Sequence, residues 1–84
     1  MEIKILKDEK DNLEVEIGNL TIAELLRVYL NENGADLAVW KRDHPSKNPV
    51  LVIKNKDARK TLKKAIESVE KEIDNFLKEF KKLD

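Results

Sequence analysis

A side-chain nucleophile needs a base within hydrogen-bond reach. The only such pairing in this chain is His44 with Ser46, in the segment Asp43-His44-Pro45-Ser46-Lys47-Asn48-Pro49. The same spacing suits a turn in which the ring packs, or hydrogen-bonds, beside a rigid proline. There is one His and no Cys, and a zinc site asks for several converging His, Cys or carboxylate ligands. Gly18 and Gly34 are the only glycines, so no Gly-rich loop brings backbone amides close to a phosphate. The carboxylates fall in turns or on faces that read as wet, with no cue for a raised pKa. The expectation is a chain with no catalytic residue, no metal and no cofactor of its own.

One charged cluster could recognise a partner: Lys54, Lys56, Arg59, Lys60, Lys63 and Lys64 face Asp57 alone. It sits near a helix start, where positive charge opposes the macrodipole. A stand-alone nucleic-acid-binding module using Lys54 to Lys64 is therefore the alternative reading, beside an ordinary solvated face. Domains that live by phosphate contacts usually carry a strong basic excess. Here the net charge is zero, with residues 1–42 at −3 and residues 43–84 at +3. Trp40 and Tyr29 are the only aromatic residues besides Phe76 and Phe80, and none interleaves with the cluster, which leaves few stacking platforms. No direct, specific contact with nucleic acid is expected.

These side chains need elements to hold them. Glu2-Ile3-Lys4-Ile5 and Leu13-Glu14-Val15-Glu16-Ile17 alternate polar and apolar, with the turn-rich Asp8 to Asn12 between them, and read as a hairpin with one wet face. Leu20-Thr21-Ile22-Ala23-Glu24-Leu25 reads as a helix start with Thr21 as N-cap, Glu24 as capping-box partner and Leu20 with Leu25 as staple. Apolar residues then recur from Ile22 to Leu30, and Asn33-Gly34 supplies a left-handed stop. Asp36 to Lys41 reads as a third strand, followed by the proline loop. Val50-Leu51-Val52-Ile53 is a continuous apolar strand, a pattern of burial on both sides. Asp57 is placed to cap one last helix, unbroken by Gly or Pro to the end. The order β-β-α-β-β-α predicts one α+β domain over residues 1–84, a two-layer sandwich of a four-stranded sheet with two helices on one face.

That last helix carries the main clue. Leu62, Ile66, Val69, Ile73, Phe76, Phe80 and Leu83 step by four and three residues, a heptad seam widened by Ala65 and Leu77. Pairs such as Glu67 with Lys71 and Asp74 with Lys78 read as solvated helix support. A helix from Ala58 to Leu83 spans roughly 39 Å, against about 20 Å for the width of such a sheet. About half of it should overhang, and leaving Phe76, Phe80 and Leu83 wet forgoes about 1.5–3 kcal/mol each. A chain of 84 residues buries only roughly 60% of its unfolded surface and has no disulfide or evident metal site to add stability. Association is the remaining route. A bent helix or wider sheet, with the seam wholly internal, is the other arrangement. A membrane-surface helix fits less well, because Glu67, Glu70, Glu72, Asp74 and Glu79 sit among its lysines. No signal-like or membrane-spanning apolar run occurs, so a soluble, cytoplasmic protein is expected. Charged residues are 40% of the chain and mostly Lys and Glu, a bias of hyperthermophile proteins that an AT-rich genome would also produce.

Met1-Glu2-Ile3-Lys4-Ile5-Leu6, Leu20-Thr21-Ile22-Ala23-Glu24-Leu25-Leu26-Arg27, His44-Pro45 with Pro49 and Leu51-Val52-Ile53-Lys54, and Ala65-Ile66 follow one another along nearly the whole chain. In that order and spacing the chain resembles the family of the small RNA polymerase subunit L of archaea. That family is similar to the eleventh subunit of eukaryotic polymerase II and to the N-terminal dimerisation domain of the bacterial alpha subunit. The chain departs from the family at Leu20, Glu24 and Ser46, where His, Asn and Leu are usual, and in its shorter segments before Pro49 and from Asn55 to Thr61. The resemblance implies a non-catalytic assembly subunit of a DNA-directed RNA polymerase, a nucleotidyltransferase complex of transcription. Its two helices would pack on those of the larger D-type RNA polymerase subunit, and the heterodimer would receive the large catalytic subunits. Together with the seam, it points to Leu26, Tyr29, Leu30, Leu62, Ile66, Val69, Ile73, Phe76 and Phe80 as the partner interface, with Leu62 shared with the domain's own core. For the isolated chain, a homodimer through the same heptads stays open.

Overall fold

In the computed structural model, which describes residues 3–83, the chain runs β1 (Ile3–Glu9), β2 (Asn12–Ile17), α1 (Leu20–Glu32), β3 (Leu37–Lys41), β4 (Val50–Lys54) and α2 (Ala58–Lys81). The expected order and α+β class hold. Glu2, read as the start of the first strand, lies outside the described residues. The sheet is antiparallel throughout, in the spatial order β1-β2-β4-β3. The apolar run of β4 is explained by this order. Flanked by β2 and β3, it buries Leu51 and Ile53 under the helices, while Val52 on the opposite face is buried too, between Glu14 and Val39.

Leu13, Val15 and Ile17 of β2, Leu51 and Ile53 of β4, and Ala38 of β3 form one floor. Ala23, Leu26 and Leu30 of α1 and Ala58, Ala65 and Val69 of α2 pack on it. Both helices therefore share one face of the sheet. β2 alternates as expected, but every residue of β1 is exposed, so the hairpin is wet on both faces along that strand. The helices rest on β2 and β4, and α1 also on β3, which leaves the β1 flank thinly covered. An irregularity between Ile5 and Lys7 adds a residue to β1, and Leu6 comes to lie with Glu14, Glu16 and Val50 beside the sheet's outer face.

The first helix is capped differently from the expectation. The cap is Asn19, whose side chain accepts the Ile22 N–H at 3.1 Å, and Thr21 lies inside the first turn. The capping position is fixed by which oxygen reaches the third helical amide, and Asn19 occupies it. Glu24, freed from the capping role, turns to Arg27 and Trp40. The far end behaves as read: Gly34 has φ +88°, and the Ala35 N–H returns to the Leu30 carbonyl at 3.0 Å.

α2 starts at the expected cap. The Asp57 carboxylate accepts the Lys60 N–H at 3.3 Å. The start is fastened to the β1–β2 turn, where the Lys10 and Asp11 carbonyls accept from the Ala58 and Asn55 amides at 2.9 and 3.2 Å, and Arg59 pairs with Asp8. With one end fixed there, the helix crosses the sheet and runs past it. The molecule measures 45 Å in its longest dimension and 17 Å in its shortest.

Candidate functional site

The register of α2 decides what it shows. Ala58, Ala65 and Val69 are buried and Leu62 and Ile66 half-buried, all on the face turned to the sheet and α1. From Glu70 to the end of the helix every residue is exposed. The heptad seam continues through that half without the layer beneath it. Ile73 and Leu77 are about half uncovered, Phe76 is 68% exposed, Phe80 61% and Leu83 81%. Phe76 and Phe80, one turn apart, are stacked with ring centroids 6.4 Å apart. The stack leaves both rings largely in water, with a large apolar area uncovered.

The seam runs into a groove at the end of the sheet. Ile3 and Ile17 form its floor, Ile22 and Leu26 of α1 one wall, and Ile66, Val69, Glu70 and Ile73 of α2 the other, enclosing about 240 Å³. Ile3 is 54% exposed and Ile5 close behind, because the thinly covered flank of β1 opens onto this side. Groove and seam together make a continuous apolar surface from β1 to Leu83.

Of the residues singled out from sequence, the structure brings Leu26, Ile66, Val69 and Ile73 together in the groove and sets Phe76 and Phe80 beyond it. Leu62 packs against the core. Tyr29 is half-buried. That partial burial, with the negative charge of Glu72 and Glu32, pushes its phenol above the ordinary value. Leu30 does not join the surface, being 0% exposed between α1 and the sheet, and Leu26 and Val69 are core residues too, at 3% and 5% exposed, that reach the groove only by their edges. The helical period put Leu30 beside Leu26, but a residue one turn on can lie wholly under its own helix. Sequence reasoning missed Ile3 and Ile5 as surface. The alternation in β1 marked which face those isoleucines share, but not that β1 is an edge the helices leave open.

The other candidates resolve locally. The His44 Nδ1 accepts the Ser46 N–H at 3.2 Å and lies 2.9 Å from the Ser46 Oγ, in an exposed turn closed by the Lys47 N–H to the His44 carbonyl at 2.8 Å. A ring nitrogen that accepts a backbone amide is serving the turn. Among the described residues no three His, Asp or Glu side chains gather as metal ligands. In the basic cluster, Arg59 is taken up by Asp8, and Lys60, Lys63 and Lys64 are exposed. The ion pair that α2 forms within itself joins Lys82 to Glu79 at 3.5 Å, rather than Glu67 to Lys71 or Asp74 to Lys78. Exposed pairs of this kind contribute little and form opportunistically. A polar cleft of about 580 Å³ opens between the end of α1 and α2, bordered by Asn33, Asn55, Lys64 and Lys71.

Glu24 is the most perturbed carboxylate. Arg27 grips both of its oxygens, and the Trp40 indole N–H donates to one of them at 2.6 Å. The guanidinium first, and the indole second, hold its carboxyl at about 2. The arrangement ties α1 to β3 across the sheet edge, assisted by the Asn31 amide donating to the Ala38 carbonyl at 3.0 Å.

Compared with protein-family models and with curated protein sequences, the chain matches none. No helix among the described residues is long and apolar enough to cross a membrane.

Proposed function

We propose that this chain is a non-catalytic assembly subunit of a cytoplasmic DNA-dependent RNA polymerase, pairing with a larger subunit of the D type to build the platform that receives the catalytic subunits. The observation that carries the reading is the uncovered half of α2, an apolar seam that ends in the Phe76–Phe80 stack and continues into the groove beside β1. A partner helix laid along it would remove from water what the sheet leaves exposed. The order of resemblances from Met1 to Ile66 gives that partner its identity in this proposal.

The test is capture of the tagged chain from its native lysate, with the bound proteins identified by mass. A larger polymerase subunit in stoichiometric amount is expected, and a chain recovered alone would count against the reading. Phe76→Asp should abolish pairing by placing a charge in the middle of the seam. It should change the stability of the isolated chain by less than about 1 kcal/mol, since Phe76 touches no core. Unchanged affinity for the larger subunit would remove Phe76 from the interface.

A further inference from the structure

The borders of the seam specify what kind of helix can cover it. With Ile66, Ile73 and Phe80 at heptad position a, and Val69, Phe76 and Leu83 at d, the flanking positions e and g along the uncovered length are Glu70, Glu72, Leu77 and Glu79. Every charge on that border is negative, while Lys71, Lys78, Lys81 and Lys82 all fall at b, c or f, away from the seam. In paired helices the e and g residues face the partner and set its identity. Among the described residues neither Glu70 nor Glu72 has an ion-pair partner, and Glu79 meets only Lys82 of its own helix. Glu70 also lines the groove beside β1, so the acidic border follows the apolar surface where it turns onto the sheet.

A second copy of this chain meets that border badly. In an antiparallel pair, g residues face g and e residues face e, which sets glutamate against glutamate. In a parallel pair, Glu72 faces Leu77, and no opposite charge is gained. Like charges brought together at a contact are a barrier to the wrong partner. We infer that the seam is built for an amphipathic helix of a different protein, one whose apolar stripe is bordered by Lys or Arg, and that Glu70, Glu72 and Glu79 select it against self-pairing. The inference rests on the assembly reading only in needing a partner on this face; the partner's border chemistry is its own claim.

Two three-heptad helical peptides with the same apolar a and d residues, one with Lys and the other with Glu at e and g, test it by fluorescence titration against the whole chain at low ionic strength. Since the chain's net charge is zero, a preference reports the local border rather than overall attraction. The Lys peptide should bind at least about tenfold tighter. The gap should narrow as salt is raised, and it should reverse in the Glu70→Lys, Glu72→Lys, Glu79→Lys triple variant. Equal binding, no binding by either peptide, or a gap that survives the triple substitution overturns the inference. So does sedimentation showing that the chain alone self-associates as tightly as it binds the Lys peptide. The two proposals fail separately: capture of a polymerase subunit with indifferent peptides leaves the assembly reading standing, and a Lys preference with no polymerase subunit captured leaves this one.

Discussion

Glu24 and Trp40 make a reporter as well as a tie. Trp40 is the only tryptophan, and its indole donates to a carboxylate whose pKa is depressed from 4.5 to about 2 in the folded chain. A depressed carboxyl contributes stability that is fully present above its unfolded value and lost as pH falls through its folded one. The contribution should therefore fade between about pH 4.5 and pH 2, and Trp40 fluorescence should titrate near the lower end. Glu24→Gln should remove that step and lower the neutral-pH urea midpoint, while leaving stability below pH 2 nearly the same. A step near pH 4 in the parent chain would contradict the pairing. Gly34 is the other residue with a single job. A Cβ there would meet nothing within 4 Å, so only the backbone at φ +88° resists substitution. Gly34→Ala should cost about 1–2 kcal/mol by urea unfolding, with Asn tolerated better. Gly34 was legible from its place after Asn33. The cap at Asn19 was not, because Asn19 and Thr21 both precede an apolar run and differ only in which oxygen meets the third amide.

α2 shows how far an element can be read from its period. Its start at Asp57, its seam and its overhang follow from spacing and length alone, since 24 residues at 1.5 Å each outrun four strands. The hidden position of Leu30 and the open flank of β1 do not. Both depend on where the helices come to rest across the sheet, and α1 leans toward β3 rather than β1. The two kinds of apolar residue should separate cleanly in the isolated chain. Leu30→Ala, which empties a site with 0% exposure, should cost about 2–5 kcal/mol. Phe80→Ala should stay within about 0.5 kcal/mol, although Phe is the larger side chain. Thermal or urea unfolding of the two variants side by side checks this, and comparable losses would mean that the seam is held internally after all.

The fold was legible at the scale of the whole molecule because turns, caps and periods agree along the chain: alternation for β2, a continuous run for β4, a stop at Gly34 and a start at Asp57. The exposed apolar surface was legible only as an excess of apolar helix over available sheet, and its extension onto Ile3 needed the strand order. The arrangement leaves one end of the molecule fastened by Asp8, Lys10, Asp11 and Arg59, and the other end resting on nothing. Beyond Val69, α2 is held by little besides its own backbone hydrogen bonds, and a helical end without tertiary contacts opens readily. Trypsin should therefore cut an unaccompanied copy first at Lys71, Lys78, Lys81 or Lys82, leaving a fragment from the N-terminal side intact, and a bound partner should protect those sites. Under the proposed pairing, a cell that makes more of this chain than of its partner would clear the surplus through the same exposed end, so the overhang would also meter how many unaccompanied copies persist.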